Sequence, residues 1–165
     1  MSNNVPQFLV GMTVFINGEA RLGKGKTVTL PKIEQMRETF TAGGFERSVG
    51  TGVFKAMEAE ITLSEYHKSV VGVLANLTNE SVFVVKGSIK EKNTNIPVVA
   101  TFKGEIDADD GSWEAGKEVE RTIKIYIEQY SLEINGVTHI ALDATNMIAL
   151  IDGVDHMETL RKHIL

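Results

Sequence analysis

The sequence predicts a mainly β, two-layer sandwich or partial barrel with one internal α-helix, on three observations. Apolar and polar residues alternate with a period of two through several segments. Asn17-Gly18 and Asn135-Gly136 supply tight-turn pairs, because both residue types tolerate positive φ. The long run EVERTIKIYIEQYSLEI, Glu118 to Ile134, reverses the phase of its alternation half-way, which predicts a bulge or a change of sheet.

The elements follow in order. Met12 to Ile16 reads as a strand that ends at the first Asn-Gly turn. The stretch GEARLGKGKTVTL, Gly18 to Leu30, comes close to a phosphate-binding loop, G-x-x-x-x-G-K-[ST], but misses in both registers. Counting back from Gly25-Lys26-Thr27 puts Ala20 where the first glycine belongs. Counting from Gly18 and Gly23 puts Gly25 where a hydroxyl should meet magnesium. TVTLP then reads as a short strand stopped by Pro31, not as the helix that a phosphate loop opens.

Gln35 to Thr41 alternates, and Thr41 to Lys55 is glycine-rich and aperiodic, which predicts an extended loop. Ala56 to Leu63 sets Met57, Ala59, Ile61 and Leu63 against Glu58, Glu60 and Thr62, a strand pattern. Ser64 to about Leu77 has helical spacing, with Ser64 as a candidate cap. Ser81 to Lys90 and Ile96 to Asp107 read as a hairpin around the polar segment EKNTN. In the run from Glu118, the apolar residues Val119, Ile123, Ile125 and Ile127 fall at odd positions; after Glu128 the apolar set is Tyr130, Leu132 and Ile134. SLEI-NG-VTHIAL is a second hairpin. HMETLRKHIL, with Asp155 ahead of it and Glu158 three residues on, reads as a tail helix with a capping-box-like start.

Composition fits one domain spanning residues 1–165, with 42% hydrophobic residues. Zero cysteines remove disulfides and thiolate metal ligands, and a net charge of −5 disfavours a duplex nucleic-acid binder. The segment MSNNVPQFLVG lacks the basic and apolar parts of a signal peptide, so a cytoplasmic folding compartment is expected. His67, His139, His156 and His163 include no i,i+4 pair, and no serine lies in a nucleophile elbow. DADDG, Asp107 to Gly111, places Glu118 at the twelfth position of a calcium loop, but Gly111 and Trp113 occupy middle ligand positions. An inter-strand loop anchored by Trp113 is the expectation there. No catalytic residue, metal site or cofactor is predicted.

One polar face stands out. With the strands aligned, Glu58, Glu60, Glu105, Asp107, Glu118, Glu120 and Glu128 share it with Arg37, Lys103 and Lys124. It is either a solvated face or the wall of an acidic, water-filled channel.

The chain resembles the major tail tube proteins of contractile-tailed bacteriophages and R-type pyocins. The resemblance is carried by FINGEA, LPKIEQMRETFTAGG, AMEAEITL, NIPVVATFKGEIDADDGSWEAGKE, the long strand to LEING and the terminal IDGVDH, in that order. It implies a sandwich subunit, no active site, and an inner sheet that joins its neighbours into hexameric rings stacking as a tube. The implied partners are a tail sheath, a baseplate and a tape-measure protein, in a virion tail assembled in the bacterial host cytoplasm; DNA passes through the lumen without specific binding. Under this resemblance Glu58, Glu60, Glu118, Glu120 and Lys124 face the lumen. Residues 41–55, with Ala42, Gly43, Gly44, Phe45, Val53 and Phe54, form an inter-subunit loop. Arg21, Lys24 and Lys26 meet the next ring or the sheath, or else are solvated. Residues 1–11 are expected to be flexible, and 153–165 to form a tail. A small β-barrel binding module and a secretion-system tube protein are the alternatives.

Overall fold

The computed structural model describes residues 5–66, 68–74 and 81–165. The elements are β1 (Phe8–Ile16), β2 (Glu19–Leu22), β3 (Gly25–Thr29), β4 (Gln35–Ala42), β5 (Phe45–Phe54), β6 (Glu58–Leu63), α1 (Lys68–Leu74), β7 (Ser81–Glu91), β8 (Thr94–Asp109), β9 (Arg121–Ile134), β10 (Val137–Asp143), β11 (Ile148–Ile151), β12 (Val154–Asp155) and α2 (Glu158–Ile164).

One large antiparallel sheet runs β12-β11-β10-β9-β8-β7-β1-β2, and β6 joins β9 while carrying β3 on its far side. β4 and β5 form a separate two-stranded sheet. Val14 and Ile16 of β1 share a core with Ile61 and Leu63 of β6, so the large sheet rolls round on itself. β1 and β3 do not pair, and the roll stays open as a partial barrel.

The phase reversal in β9 is resolved by a bulge. Lys103 of β8 faces Gln129, yet its neighbour Gly104 faces Ile127, which leaves Glu128 as the extra residue. Ile123 and Ile125 before the bulge, and Tyr130 after it, thereby point to the same core and are buried. The same point divides the edge of β9 opposite β8. Arg121 to Tyr126 pairs with β6, and Gln129 to Ile134 pairs with β10. The expected bulge is therefore present, whereas the alternative, a change of sheet, is not: β6 and β10 are successive partners within the same large sheet.

The turns follow their residues. Asn17 and Gly18 have φ of 48° and 89°, and Asn135 and Gly136 have φ of 53° and 78°. The β7–β8 connection is tighter than the sequence suggested: Glu91 already pairs with Thr94, leaving Lys92-Asn93 as the turn.

Four expectations are corrected. Thr41 to Lys55 is not an irregular loop, because Phe45–Phe54 is a strand whose backbone hydrogen-bonds to β4 in spite of its glycines. Residues 8–11 are not a loose terminus but the start of β1, paired with β7. Ser64 does not cap a helix: α1 starts at Lys68, and the Ser64 amide donates to the Lys24 carbonyl. His67 and the expected helix beyond Leu74 lie outside the described residues. In α2 the N-cap is Met157, with no side-chain cap. Asp155 sits further upstream, accepting from the Met157 and Ala149 amides and from Arg161. The C-terminal tail is thus tied to its own domain, with Met157 packed on the core.

Candidate functional site

Three surfaces carry the residues singled out in the sequence. The first is the outward face of β6, β9 and β8. Cross-strand pairing aligns Glu60, Lys124 and Asp107 in one row and Glu58, Tyr126 and Glu105 in the next. Asp109 faces Thr122 beyond them, and Thr122 faces Thr62. These rows therefore hold five carboxylates, Glu58, Glu60, Glu105, Asp107 and Asp109, around Lys124, with Lys103 further along the same side of β8. Lys124 Nζ lies 3.0 Å from Glu58 Oε2, and the Tyr126 hydroxyl donates to Asp107 Oδ2 at 2.7 Å. The hydrogen bond and charge of Glu58 raise the Lys124 pKa, and the hydrogen bond to Asp107 raises that of Tyr126. No charge on this face is buried, so it presents a hydrated, net-negative wall.

Of the five residues expected to face a lumen, Glu58, Glu60 and Lys124 are brought together here. Glu118 and Glu120 are not, because they precede β9 and pair with Lys26 of the same chain. Glu128, the bulge residue, accepts a hydrogen bond from the Thr145 hydroxyl instead of adding to the wall. Tyr126 and Asp109 were not singled out in the sequence. Tyr126 carried a signal, since it holds the same even parity as Thr122 and Lys124.

The second surface is the basic stretch. Arg21 does not reach outward: it is 9% exposed, opposite Val14, with Glu19 at 2.7 Å and Glu65 at 3.4 Å. Its charge is consumed inside the subunit, which corrects its assignment to an external contact. Lys26 is held by Glu120 and Glu118, and the Glu120 hydrogen bond raises its pKa. Lys24 is exposed on the β2–β3 turn. No helix follows the GKGKT stretch, which runs straight into β3.

The third surface is the β4–β5 arm. Every residue from Met36 to Val49 is exposed, and Phe45 at its tip is 78% exposed. Gly43 and Gly44 form the tip turn with φ of 60° and 79°. Phe54 behaves otherwise than expected, since it packs against the core and roots the arm. Beside these surfaces, the loop before β9 is held by Tyr66. Its hydroxyl donates to the Asp110 carbonyl at 2.5 Å and accepts from Trp113 Nε1 at 2.9 Å, while Arg121 lies over its ring. Trp113 itself is 79% exposed, so the loop is held by Tyr66 and not, as expected, by an anchoring tryptophan.

The comparisons with known proteins agree with this fold. A solved structure of the sheath/tube terminator of an extracellular contractile injection system, in its extended state, superposes with a TM-score of 0.57. It covers 75% of this chain and 94% of that one at 8% identity, a likeness of fold. The tail tube protein of Escherichia phage P2 is 29% identical over 168 residues, covering 97% of this chain and 98% of its own. The major tail tube protein of Serratia phage KSP20 is 23% identical over 153 residues, covering 90% of each. The family described as phage tail tube protein FII matches residues 6–164. A rolled β-sheet with an acidic outer wall and a projecting arm, matched from end to end by that family, makes this chain a member of the phage tail tube protein FII family.

Proposed function

We propose that this protein is the repeating subunit of the inner tube of a contractile tail, assembling into hexameric rings that stack into a rigid conduit. The supporting observation is the wall formed by Glu58, Glu60, Glu105, Asp107 and Asp109 around Lys124. Facing the lumen, these carboxylates repel phosphates, so a passing nucleic acid slides without adhering. The protein contributes assembly, stiffness and a non-adhesive bore, with no chemical step. Lys24, exposed and basic, is the member of the basic stretch suited to meet an acidic patch on the next ring or on the sheath. A baseplate and a tape-measure protein complete the partners, in a virion tail assembled in the host cytoplasm.

Electron microscopy of the purified protein tests the assembly: rings or tubes are expected, and a persistent monomer at high concentration refutes it. Changing Glu58, Glu60 and Glu105 together to Lys tests the bore. Tubes should still form while genome ejection slows, and ejection at the normal rate removes the lumen assignment. A genome-free, pyocin-like particle would use the same subunit, with only the cargo differing.

A further inference from the structure

The edge of β9 opposite β8 changes partner at the bulge, and the change leaves a gap. β6 pairs as far as Glu58 with Tyr126, and β10 begins where Asp143 pairs with Gln129. Among the described residues, no strand pairs with Ile127 or Glu128 on that edge. The gap opens into a cavity of about 330 Å³. Met57, Ile127, Leu142 and Ala149 line it from the sheet, Phe54 from the root of β5, and Met157 from the start of the tail. All six pack in or against the core.

The polar groups around this gap already have partners. The Ile127 amide donates to the Met57 carbonyl and the Ala144 amide to the Glu128 carbonyl, each at 3.0 Å. Arg161 donates to the Met147 carbonyl at 2.8 Å. The Asp143 carboxylate accepts from the Gln129 side chain and from the Thr145 and Asn146 amides. A water drawn into the cavity finds few partners, and a space of that kind stays dry and takes up apolar molecules. Three of the chain's six methionines, Met57, Met147 and Met157, line it, and their unbranched thioethers adapt to the shape of a guest. Asp143 and Lys55 are the charged residues of the lining. Asp143 is engaged by its own turn, but Lys55 Nζ lies 3.7 Å from Glu34 Oε2, beyond hydrogen-bond reach, with both side chains half exposed. The Lys55 ammonium therefore keeps donors for an anionic group at the margin of the cavity.

We propose that this cavity binds a medium-chain anionic amphiphile, with its alkyl chain among Met57, Ile127, Leu142 and Met157 and its carboxylate at Lys55. The volume lies in the range of small-ligand sites, and an apolar lining with one convergent charge is their usual chemistry. At roughly 30 Å³ per methylene, close to the share of one water in the liquid, the space holds a chain of about ten carbons. Such a guest touches the root of the arm at Phe54, the bulge at Ile127 and the start of the tail at Met157. It ties together three parts of the chain that are far apart in sequence. The site belongs to the single subunit and does not depend on what the subunit assembles into.

Decanoate below its micelle-forming concentration is the probe, with decanol as its uncharged counterpart. In protein carrying isotope-labelled methionine methyl groups, decanoate should shift the Met57, Met147 and Met157 resonances to saturation. Met12 and Met36 lie outside the cavity lining and should stay in place. The melting temperature should rise with decanoate, as it does for any ligand confined to the folded state. Lys55→Glu changes an exposed side chain and should weaken decanoate about tenfold while leaving decanol binding as it was. Shifts at Met12 or Met36 instead, or a titration that never saturates, would mean adsorption elsewhere and overturn the site. Decanoate affinity unchanged in Lys55→Glu would remove the head-group contact and with it the choice of an anionic guest. Ring or tube formation enters none of these readings, so the tube reading stands or falls separately by microscopy.

Discussion

Gly104 of β8 lies so close to Tyr126 of β9 that a Cβ built on it would stand 1.9 Å from the Tyr126 carbonyl oxygen. The contact occurs where Gly104 faces Ile127 and Glu128 is left without an opposite number. A side chain here would strike backbone, which cannot step aside as a flexible side chain can. Gly104→Ala should therefore cost about 3 kcal/mol or more of folding free energy. Urea denaturation checks it, and a loss below about 1 kcal/mol would show that the bulge is pliable.

Tyr66 joins the loop before β9 to the body through its hydroxyl. Tyr66→Phe keeps the ring under Arg121 but removes both hydrogen bonds, at a cost of about 1 kcal/mol. The chain has one tryptophan, so the emission and acrylamide quenching of Trp113 report directly on the loop. Quenching should rise in the variant; an unchanged spectrum would mean that the edge-on contact with the Tyr66 ring alone holds the indole.

Arg21→Met separates a structural role from an assembly role. It leaves Glu65 facing the core side without its cation, and stability should fall by about 1–3 kcal/mol. The fraction assembled, measured per folded molecule, should not change. Lys24→Ser should do the reverse, leaving the melting temperature alone while making assembly less sensitive to salt.

Asp155 accepts from the Met157 amide and from Arg161, and these bonds hold its pKa below the ordinary carboxylate value. A depressed pKa in the folded state adds stability that is present above the unfolded value of about 4 and is lost as pH falls through the folded one. Melts from pH 6 down to pH 2 should show this loss in the parent and a flatter response in Asp155→Asn. Amide exchange across α2 should be faster in the variant at neutral pH; equal exchange would assign the anchoring of α2 to Met157 packing alone.

Much of this fold was written in local pattern. Both Asn-Gly turns, the alternation of Glu58 to Leu63 and the phase reversal at Glu128 arise from neighbouring residues, and each reappears at its expected place. What local pattern does not encode is which distant residue a charge will meet. Arg21 finds Glu65, and Lys26 finds Glu120, only after β3 and β6 pair and the approach to β9 passes alongside. On the sequence alone, both cations looked free. Strand β5 was missed for a related reason: its glycines blur the periodicity, and its hydrogen-bonding partner, β4, is recognised through backbone geometry. The acidic wall was half legible, because alternation gives the parity of a residue but not where a strand begins, and Glu118 and Glu120 lie just outside β9.

From Val98 to Asp109, β8 has β9 on one side along its whole course, and as far as Gly104 it has β7 on the other. β9 is likewise flanked, by β6 and then by β10. Two long central strands clamped on both sides cannot be peeled apart one hydrogen bond at a time. A pull along their length loads the ladders in shear, where many bonds must fail together. Thermal agitation can loosen the periphery of such a body, but a thrust along these strands meets its stiffest direction.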